Sequence, residues 1–198
     1  MHFLSPMFSP RRLLLLTSLF FSAAPCFALP RIIVSIPEQT LLVLDDTGGK
    51  LGKFPVSTSR FGVGDRPRSF ATPLGSLAVA GKVGAGAPSG TVFKGRRPTG
   101  EILAPNAPGR DPIVTRILHL RGLEASNARA FNRGIYIHGT PVESSIGRPA
   151  SYGCIRMRSN DVMRVFDAVP VGTPVEIINS SLGHAVREAA AMRRLGAM

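Results

Sequence analysis

Short apolar runs separated by turn residues dominate this chain from about residue 31 onward. The first runs extend from Ile32 to Ile36 and from Thr40 to Leu44, and the stretch DDTGG separates them from a third, Leu51 to Val56. Runs of this length, rich in branched residues and joined by turn residues, are typical of β-strands in hairpins. The pattern therefore predicts a mainly β fold.

Four later segments repeat the strand pattern. They are Gly75 to Val79, Ile113 to Leu120, Gly134 to His138 and Pro174 to Ile178. The chain has 198 residues, 44% of them apolar, which is enough for one ordinary globular core. We expect one domain, over residues 29–180.

Glycine and proline are concentrated between residues 81 and 112. This segment holds seven glycines and five prolines, so we expect little regular structure over most of its length. Long segments of this kind in compact domains are usually functional or mobile. We interpret it as a flap beside the functional site, and a disordered excursion is the alternative.

Helical patterns occur only late in the chain. Ser159 precedes apolar residues at helical spacing, which predicts a short helix with Ser159 as its N-cap, ending before Pro170. Helical composition returns from His184 to Leu195, so the tail, residues 181–198, is expected to form a peripheral C-terminal helix.

The N-terminal segment has the features of a secretory signal peptide. Arg11 and Arg12 precede the apolar run Leu13 to Phe21, and small residues lead to Ala28. We expect residues 1–28 to be removed and the protein to reach the periplasm or cell envelope. If the segment were retained, it would act as a membrane anchor.

Removal of the signal peptide would leave one thiol. Cys26 would be lost with it, and Cys154 would remain without a partner for an internal disulfide. An unpaired cysteine in an exported protein is buried and inert, an intermolecular partner, or a nucleophile. The cysteine count does not distinguish these three.

The chain is strongly basic. Its formal charge is +12, and loss of Arg11 and Arg12 leaves 12 − 2 = +10. Nucleic acid is not the expected partner, because the arginines are scattered and export separates the protein from it. An anionic envelope polymer fits better, and a surface that merely keeps the protein soluble is the alternative.

A histidine and the lone cysteine have the residue context of a catalytic pair. His138 ends a predicted strand, where its side chain faces away from Ile137 and can enter a cleft. Cys154 lies sixteen residues later, behind Gly153 and two residues before Arg156. A thiol of ordinary pKa needs a nearby base or cation to act as a nucleophile. His138 can be the base, and Arg156 can lower the thiol pKa or bind a carboxylate.

Other polar residues near this motif carry no predicted role. His119 alternates with apolar neighbours and is interpreted as strand packing, and Glu143 and Asp161 match no catalytic pattern. The histidines show no metal-ligand spacing, and one cysteine adds no second sulfur. We expect no metal and no cofactor.

The strings IYIHGTP, IGRPASYGCIRM and DAVPVGTPVEI resemble the L,D-transpeptidase catalytic domain family, also called YkuD-type. The upstream strings RIIVSIPEQTLLVLDD and TPLGSL support this resemblance, which covers roughly residues 31 to 178. It implies a β-sandwich-like fold and a cysteine that attacks a peptide carbonyl in the stem of peptidoglycan.

The resemblance also implies roles for individual residues. Cys154 would be the nucleophile, His138 its general base, and the Gly139 carbonyl the group that orients the imidazole. N–H groups around Gly153 and Cys154 would hold the oxyanion.

Three further motif positions complete the resemblance. Ser151 and Arg156 would shape the site and contact the donor stem. Tyr152 stands where the family usually has histidine. A tyrosine of ordinary pKa, about 10, is no base near neutrality, so Tyr152 is left a hydrogen-bonding or stacking role.

The implied reaction is a two-step acyl transfer that releases terminal D-alanine and joins the stem to an amine. The acceptor is a second stem, for cell-wall cross-linking, or an envelope lipoprotein, for protein anchoring. With water as acceptor the enzyme would be an L,D-carboxypeptidase. Two rivals remain: a non-catalytic peptidoglycan-binding module, and a papain-like endopeptidase, in which cysteine usually precedes histidine.

Overall fold

The computed structural model describes residues 29–187, so the predicted signal peptide and residues 188–198 of the tail lie outside the described residues. The described part contains ten β-strands. They are β1 (Arg31–Ser35), β2 (Thr40–Leu44), β3 (Lys50–Pro55), β4 (Gly75–Val83), β5 (Thr91–Lys94), β6 (Arg97–Ile102), β7 (Ile113–Gly122), β8 (Tyr136–Gly139), β9 (Ile155–Met157) and β10 (Pro174–Ile178).

All ten strands belong to one mixed sheet. The main path runs β3-β2-β1-β10-β4-β7-β5-β6, and β8 and β9 branch from β7. Two pairs are parallel, β1 with β10 and β8 with β9, and the other pairs are antiparallel. The predicted mainly β fold is therefore confirmed. All seven predicted strands are present, and the bounds of β2 and β10 match the prediction.

One hydrophobic core is formed by most of the strands and one helix. Apolar side chains from β1, β2, β4, β7, β8, β9 and β10 meet those of a helix, α1 (Ser159–Ala168), and most of them are fully buried. Burial of apolar surface on this scale is the main favourable term in folding. The parallel pair β8 and β9 packs against this core. His138 lies in β8, and Cys154 directly precedes β9.

A second, smaller cluster covers the other face of β1 and β2. Ile33, Leu42 and Leu44 pack there against Leu182 and Ala185. Residues 182–187 are helical, so the predicted C-terminal helix is present and begins two residues before His184.

Segment 81–112 has more regular structure than its composition predicts. β4 extends into it as far as Val83, and β5 and β6 form a hairpin. Glycines mark the turns here, since Gly90, Gly95 and Gly109 all have positive φ values. The composition was misleading because these glycines connect strands.

The helix α1 follows the predicted pattern except at its first residue. Arg158 occupies the N-cap position, without a side-chain cap, so the prediction of Ser159 as N-cap is wrong. The Ser159 hydroxyl instead lies 2.8 Å from the Thr115 hydroxyl. Its N–H donates to Glu143 Oε1 at 2.8 Å, and a carboxylate there satisfies a free helical N–H.

Candidate active site

The parallel pairing of β8 and β9 brings the strand of His138 beside the strand that follows Cys154. Ile137 pairs with Ile155, and both belong to the core, while His138 pairs with Arg156. Side chains alternate along a strand. His138 and Arg156 therefore project from the face opposite the core, and Cys154 lies in the turn that directly precedes β9.

A backbone hydrogen bond orients the imidazole. His138 is only 5% exposed, and its Nδ1 lies 2.8 Å from the Gly139 carbonyl oxygen. A carbonyl only accepts, so Nδ1 carries the proton and Nε2 keeps a lone pair that can act as a base. Burial lowers the pKa of His138 to about 4, against a smaller opposite effect of the Gly139 carbonyl.

A residue larger than glycine does not fit next to this histidine. A Cβ on Gly139 would lie 2.6 Å from the Val114 carbonyl oxygen of β7. The close approach of β8 to β7 thus requires glycine, and it fixes the carbonyl that orients His138.

The thiol is protonated near neutrality. Cys154 Sγ donates to the Gly134 carbonyl oxygen at 3.4 Å. Burial raises the pKa of Cys154 to about 11, while the Tyr136 backbone and the charge of Arg133 act in the opposite direction. The thiol nonetheless reaches a cleft of about 190 Å³, and Cys154 itself is only partly buried, so water there offsets part of the burial.

Arg133, rather than Arg156, is the cation whose charge lowers the pKa of the cysteine. It lines the cleft with Cys154 and is held in place by Asp65, at 2.7 Å, and by the Ala71 carbonyl, at 2.6 Å. Asp65 is itself buried. This ion pair ties the loop at residues 60–72 to the segment before β8.

The cysteine turn is closed by Ser151. Its hydroxyl donates to the Cys154 carbonyl at 2.6 Å and accepts the Gly153 N–H at 3.2 Å. The Gly153 N–H, expected in the oxyanion site, is thus engaged by Ser151. Gly153 has a φ of 117°, and a Cβ there would lie 3.2 Å from the Ala71 carbonyl oxygen.

Arg156 is buried and paired. It is 6% exposed and forms an ion pair with Asp111, which also accepts a hydrogen bond from the Thr140 hydroxyl. The ion pair connects Arg156 to segment 81–112, which contains Asp111. The contact of Arg156 with the donor stem stays a prediction.

Tyr152 lies at the rim of the cleft. It is 58% exposed, and its hydroxyl accepts a hydrogen bond from the Arg60 guanidinium, which also lies 4.5 Å from the ring centroid. Phe61 and Phe70 contact the same ring.

Comparison with known proteins agrees with this arrangement. The family model of the L,D-transpeptidase catalytic domain, YkuD, matches residues 30–177. This chain belongs to the L,D-transpeptidase catalytic domain family. A probable L,D-transpeptidase, ErfK/SrfK of Salmonella typhimurium, is 54% identical over 43 residues, which are 22% of this chain and 14% of that protein.

Other relatives of the L,D-transpeptidase domain match over longer stretches or by fold. A putative L,D-transpeptidase, YkuD of Bacillus licheniformis, is 39% identical over 79 residues, 39% of this chain and 48% of that protein. This chain thus spans less than half the length of either relative. The solved Ldtfm-avibactam carbamoyl enzyme has a TM-score of 0.50 and 19% identity over 77% of this chain and 49% of that chain, which supports the fold.

Another cavity of the L,D-transpeptidase domain shares Gly134 with the Cys154 cleft. It measures about 340 Å³ and is lined in part by Arg96, His119 and Tyr136. His119 is 5% exposed and stacks on Phe131 at 3.9 Å, with Nε2 3.0 Å from the Phe131 carbonyl oxygen. These contacts fit the packing role that its alternation predicts.

Sequence reasoning missed three residues that contact or line the candidate site: Asp111, Arg133 and Arg60. Asp111 is separated from Arg156 by 45 residues and Arg60 from Tyr152 by 92. No spacing rule connects such positions. The one available signal for Arg133 is that it directly precedes the strand pattern that ends at His138.

Neither metal ligands nor a membrane span is found between residues 29 and 187. In that range no three His, Cys, Asp or Glu side chains are grouped so as to hold a metal ion. The helices of the same range are too short or too polar to cross a bilayer.

Proposed function

We propose that this domain transfers an acyl group from the tetrapeptide stem of peptidoglycan through a thioester on Cys154. The observation that supports the proposal is the pairing of the His138 strand with the strand that begins just after Cys154, with Nδ1 of His138 bound to the Gly139 carbonyl. That bond leaves Nε2 as the atom that can take the thiol proton.

The protonation states indicate when that proton moves. With a pKa of about 11 for Cys154 and about 4 for His138, both groups are neutral at pH 7. The thiol proton is therefore transferred to His138 as sulfur attacks, and no ion pair exists beforehand.

The reaction consists of two acyl transfers. Sulfur attacks the carbonyl at the L-centre of the third stem residue while His138 Nε2 takes the thiol proton, and the carbonyl oxygen becomes an oxyanion. Collapse of this intermediate breaks the amide bond, and His138 returns the proton to the departing D-alanine amine. An acceptor amine then attacks the thioester, His138 takes its proton, and the Cys154 thiol is regenerated.

The neighbouring residues support these steps. Ser151 fixes the turn that presents Cys154, and the Cys154 N–H is the donor we assign to the oxyanion. Gly153 lets this turn approach the neighbouring loop, and Arg156 positions β9 through Asp111. Tyr152 forms the cleft rim, in contact with the substrate.

The nature of the substrate fits the site and the proposed location. Free carboxylates of the stem complement the formal charge of 12 − 2 = +10 that remains after loss of Arg11 and Arg12 with the signal peptide. Peptidoglycan lies outside the cytoplasm, so the proposal includes export through the signal peptide, to the periplasm or cell envelope. Acceptors are a second stem or the lysine of an envelope lipoprotein, and water would give L,D-carboxypeptidase activity.

Product analysis tests the proposal. Purified tetrapeptide stems should lose one D-alanine and form cross-linked dimers or, with water, tripeptides. The Cys154→Ala variant should do neither. Cleavage elsewhere in the stem, with D-alanine retained, would indicate an endopeptidase, and intact stems would indicate a binding module. A carbapenem further separates the L,D-transpeptidase from the binding module, because a catalytic thiol forms a covalent adduct and a binding module does not.

A further inference from the structure

An exposed group of aromatic rings borders the Cys154 cleft. Phe61, Phe70 and Tyr152, here called the aromatic rim, are 49%, 51% and 58% exposed, and their ring centroids lie 5.5 to 5.9 Å apart. Single exposed apolar residues are ordinary, whereas a contiguous exposed patch usually marks a binding surface.

The loop that carries Phe61 and Phe70 includes two residues in an unfavourable backbone conformation. Arg68 and Phe70 have φ values of 59° and 54°, which are rare for residues other than glycine, and such strain concentrates at functional sites. The Ser59 hydroxyl donates to the Phe70 carbonyl at 2.5 Å, and the buried Arg133–Asp65 pair supports the same loop. The fold thus holds these rings at the surface against a local energetic cost.

Charges around the rim indicate an anionic ligand. Arg60, Arg66 and Arg68 are exposed on the loop that carries Phe61 and Phe70. Asp65, the acidic residue of that loop, is buried against Arg133 and is neutralised there. A second copy of this basic chain would be repelled by this surface.

The rim borders the cleft that contains the thiol, next to where the rest of the proposed substrate would extend. Phe70 and Tyr152 line the cleft, and Phe61 lies beyond them. Two stem residues separate the attacked third residue from the sugar, a span of about 7 Å when extended. Sugar rings present flat C–H faces that stack on aromatic rings, and the stem carboxylates meet the arginines.

We infer that the aromatic rim binds the glycan strand that carries the donor stem. The inference rests on the proposed function and names the part of the substrate that the domain recognises. It makes glycan-linked stems better donors than free tetrapeptides.

Two measurements test the inference. The first compares kcat/KM for a free tetrapeptide and for the same stem on a glycan oligomer. Phe61→Ala should reduce the preference for the glycan-linked donor about fivefold, the size of one lost aromatic contact. The control, Leu51→Ala, removes an equally exposed side chain from β3 and should keep the preference.

The second measurement needs no turnover. Binding of stem-free glycan oligomers to the Cys154→Ala protein should weaken about fivefold with Phe61→Ala and stay the same with Leu51→Ala. Equal binding by all three proteins overturns the inference, even if free tetrapeptides are processed. If anionic lipid vesicles and not glycan distinguish the variants, the rim is a membrane-binding surface and the inference is likewise wrong. Glycan binding without any turnover would support the rim and contradict the proposed function.

Discussion

Asp111 and Arg156 form an ion pair that ties segment 81–112 to the strand after Cys154. The same carboxylate accepts a hydrogen bond from Thr140, two residues after His138. Since Arg156 pairs with His138 in the β8–β9 register, one acidic side chain contacts the strand that follows Cys154 and the residue that follows the strand of His138. This carboxylate is a positioning group for His138 and Cys154.

Asp111→Asn is expected to reduce kcat at least tenfold and destabilise the fold by about 2 kcal/mol. The buried Arg156 guanidinium would lose its charge partner, and an unpaired buried charge is costly. Activity on tetrapeptides and urea unfolding measure the two effects. The control is Glu101→Gln, which breaks the exposed Arg110–Glu101 pair of the same segment and should cost less than about 1 kcal/mol. Equal losses in the two variants would contradict the positioning role.

The buried histidine should make the protein sensitive to acid. Its pKa is lowered from 6.5 to about 4 in the folded state, so the unfolded chain binds the proton first as pH falls. Stability is thus unaffected above pH 6.5 and decreases by about 3 kcal/mol as pH falls from 6.5 to 4. Urea unfolding at pH 7 and pH 4 measures the loss of stability on acidification. In His138→Phe this loss should be smaller by about 3 kcal/mol, because the variant has no imidazole to protonate. An unchanged acid dependence in the variant would contradict the buried neutral state.

Cys154 should react slowly with iodoacetamide at neutral pH and faster as the pH approaches 11, because burial raises its pKa. Arg133→Gln should slow alkylation at pH 9 about two- to fivefold, the effect of one partly screened charge. Arg133→Lys keeps the charge and should restore most of the rate. If the lysine variant is as slow as the glutamine variant, Arg133 acts by supporting the loop and not by its charge.

Local patterns predicted the fold better than they predicted the site. The bounds of β2 and β10 follow from apolar runs and adjacent turns, and both are confirmed by the structure. Ser159 was misassigned because an N-cap preference competes with tertiary contacts, and here the hydroxyl of Thr115 is its partner. The hairpin of β5 and β6 was missed because glycines that form turns have the same composition as glycines in loops.

The motif around Cys154 predicts candidate site residues, but not the side chains with which they form ion pairs. The motif and the resemblance predict His138 and Cys154 as the catalytic pair, and the structure shows that the strand of His138 pairs with the strand that follows Cys154. The pairing of Arg156 with Asp111, and of Arg133 with Asp65, depends on how distant loops pack. Such contacts join positions far apart in the chain, and a single sequence contains no local signal for them.

The most direct test of the proposed mechanism is the covalent state of the enzyme during turnover. The protein would be mixed with a tetrapeptide donor whose free amines are blocked, so that it cannot act as an acceptor, then quenched in acid and measured by intact-mass and peptide-level mass spectrometry. The mechanism predicts a tripeptide acyl group on Cys154, absent from Cys154→Ala and strongly reduced in His138→Phe. Release of D-alanine by Cys154→Ala, or an acyl group on another residue, would contradict it.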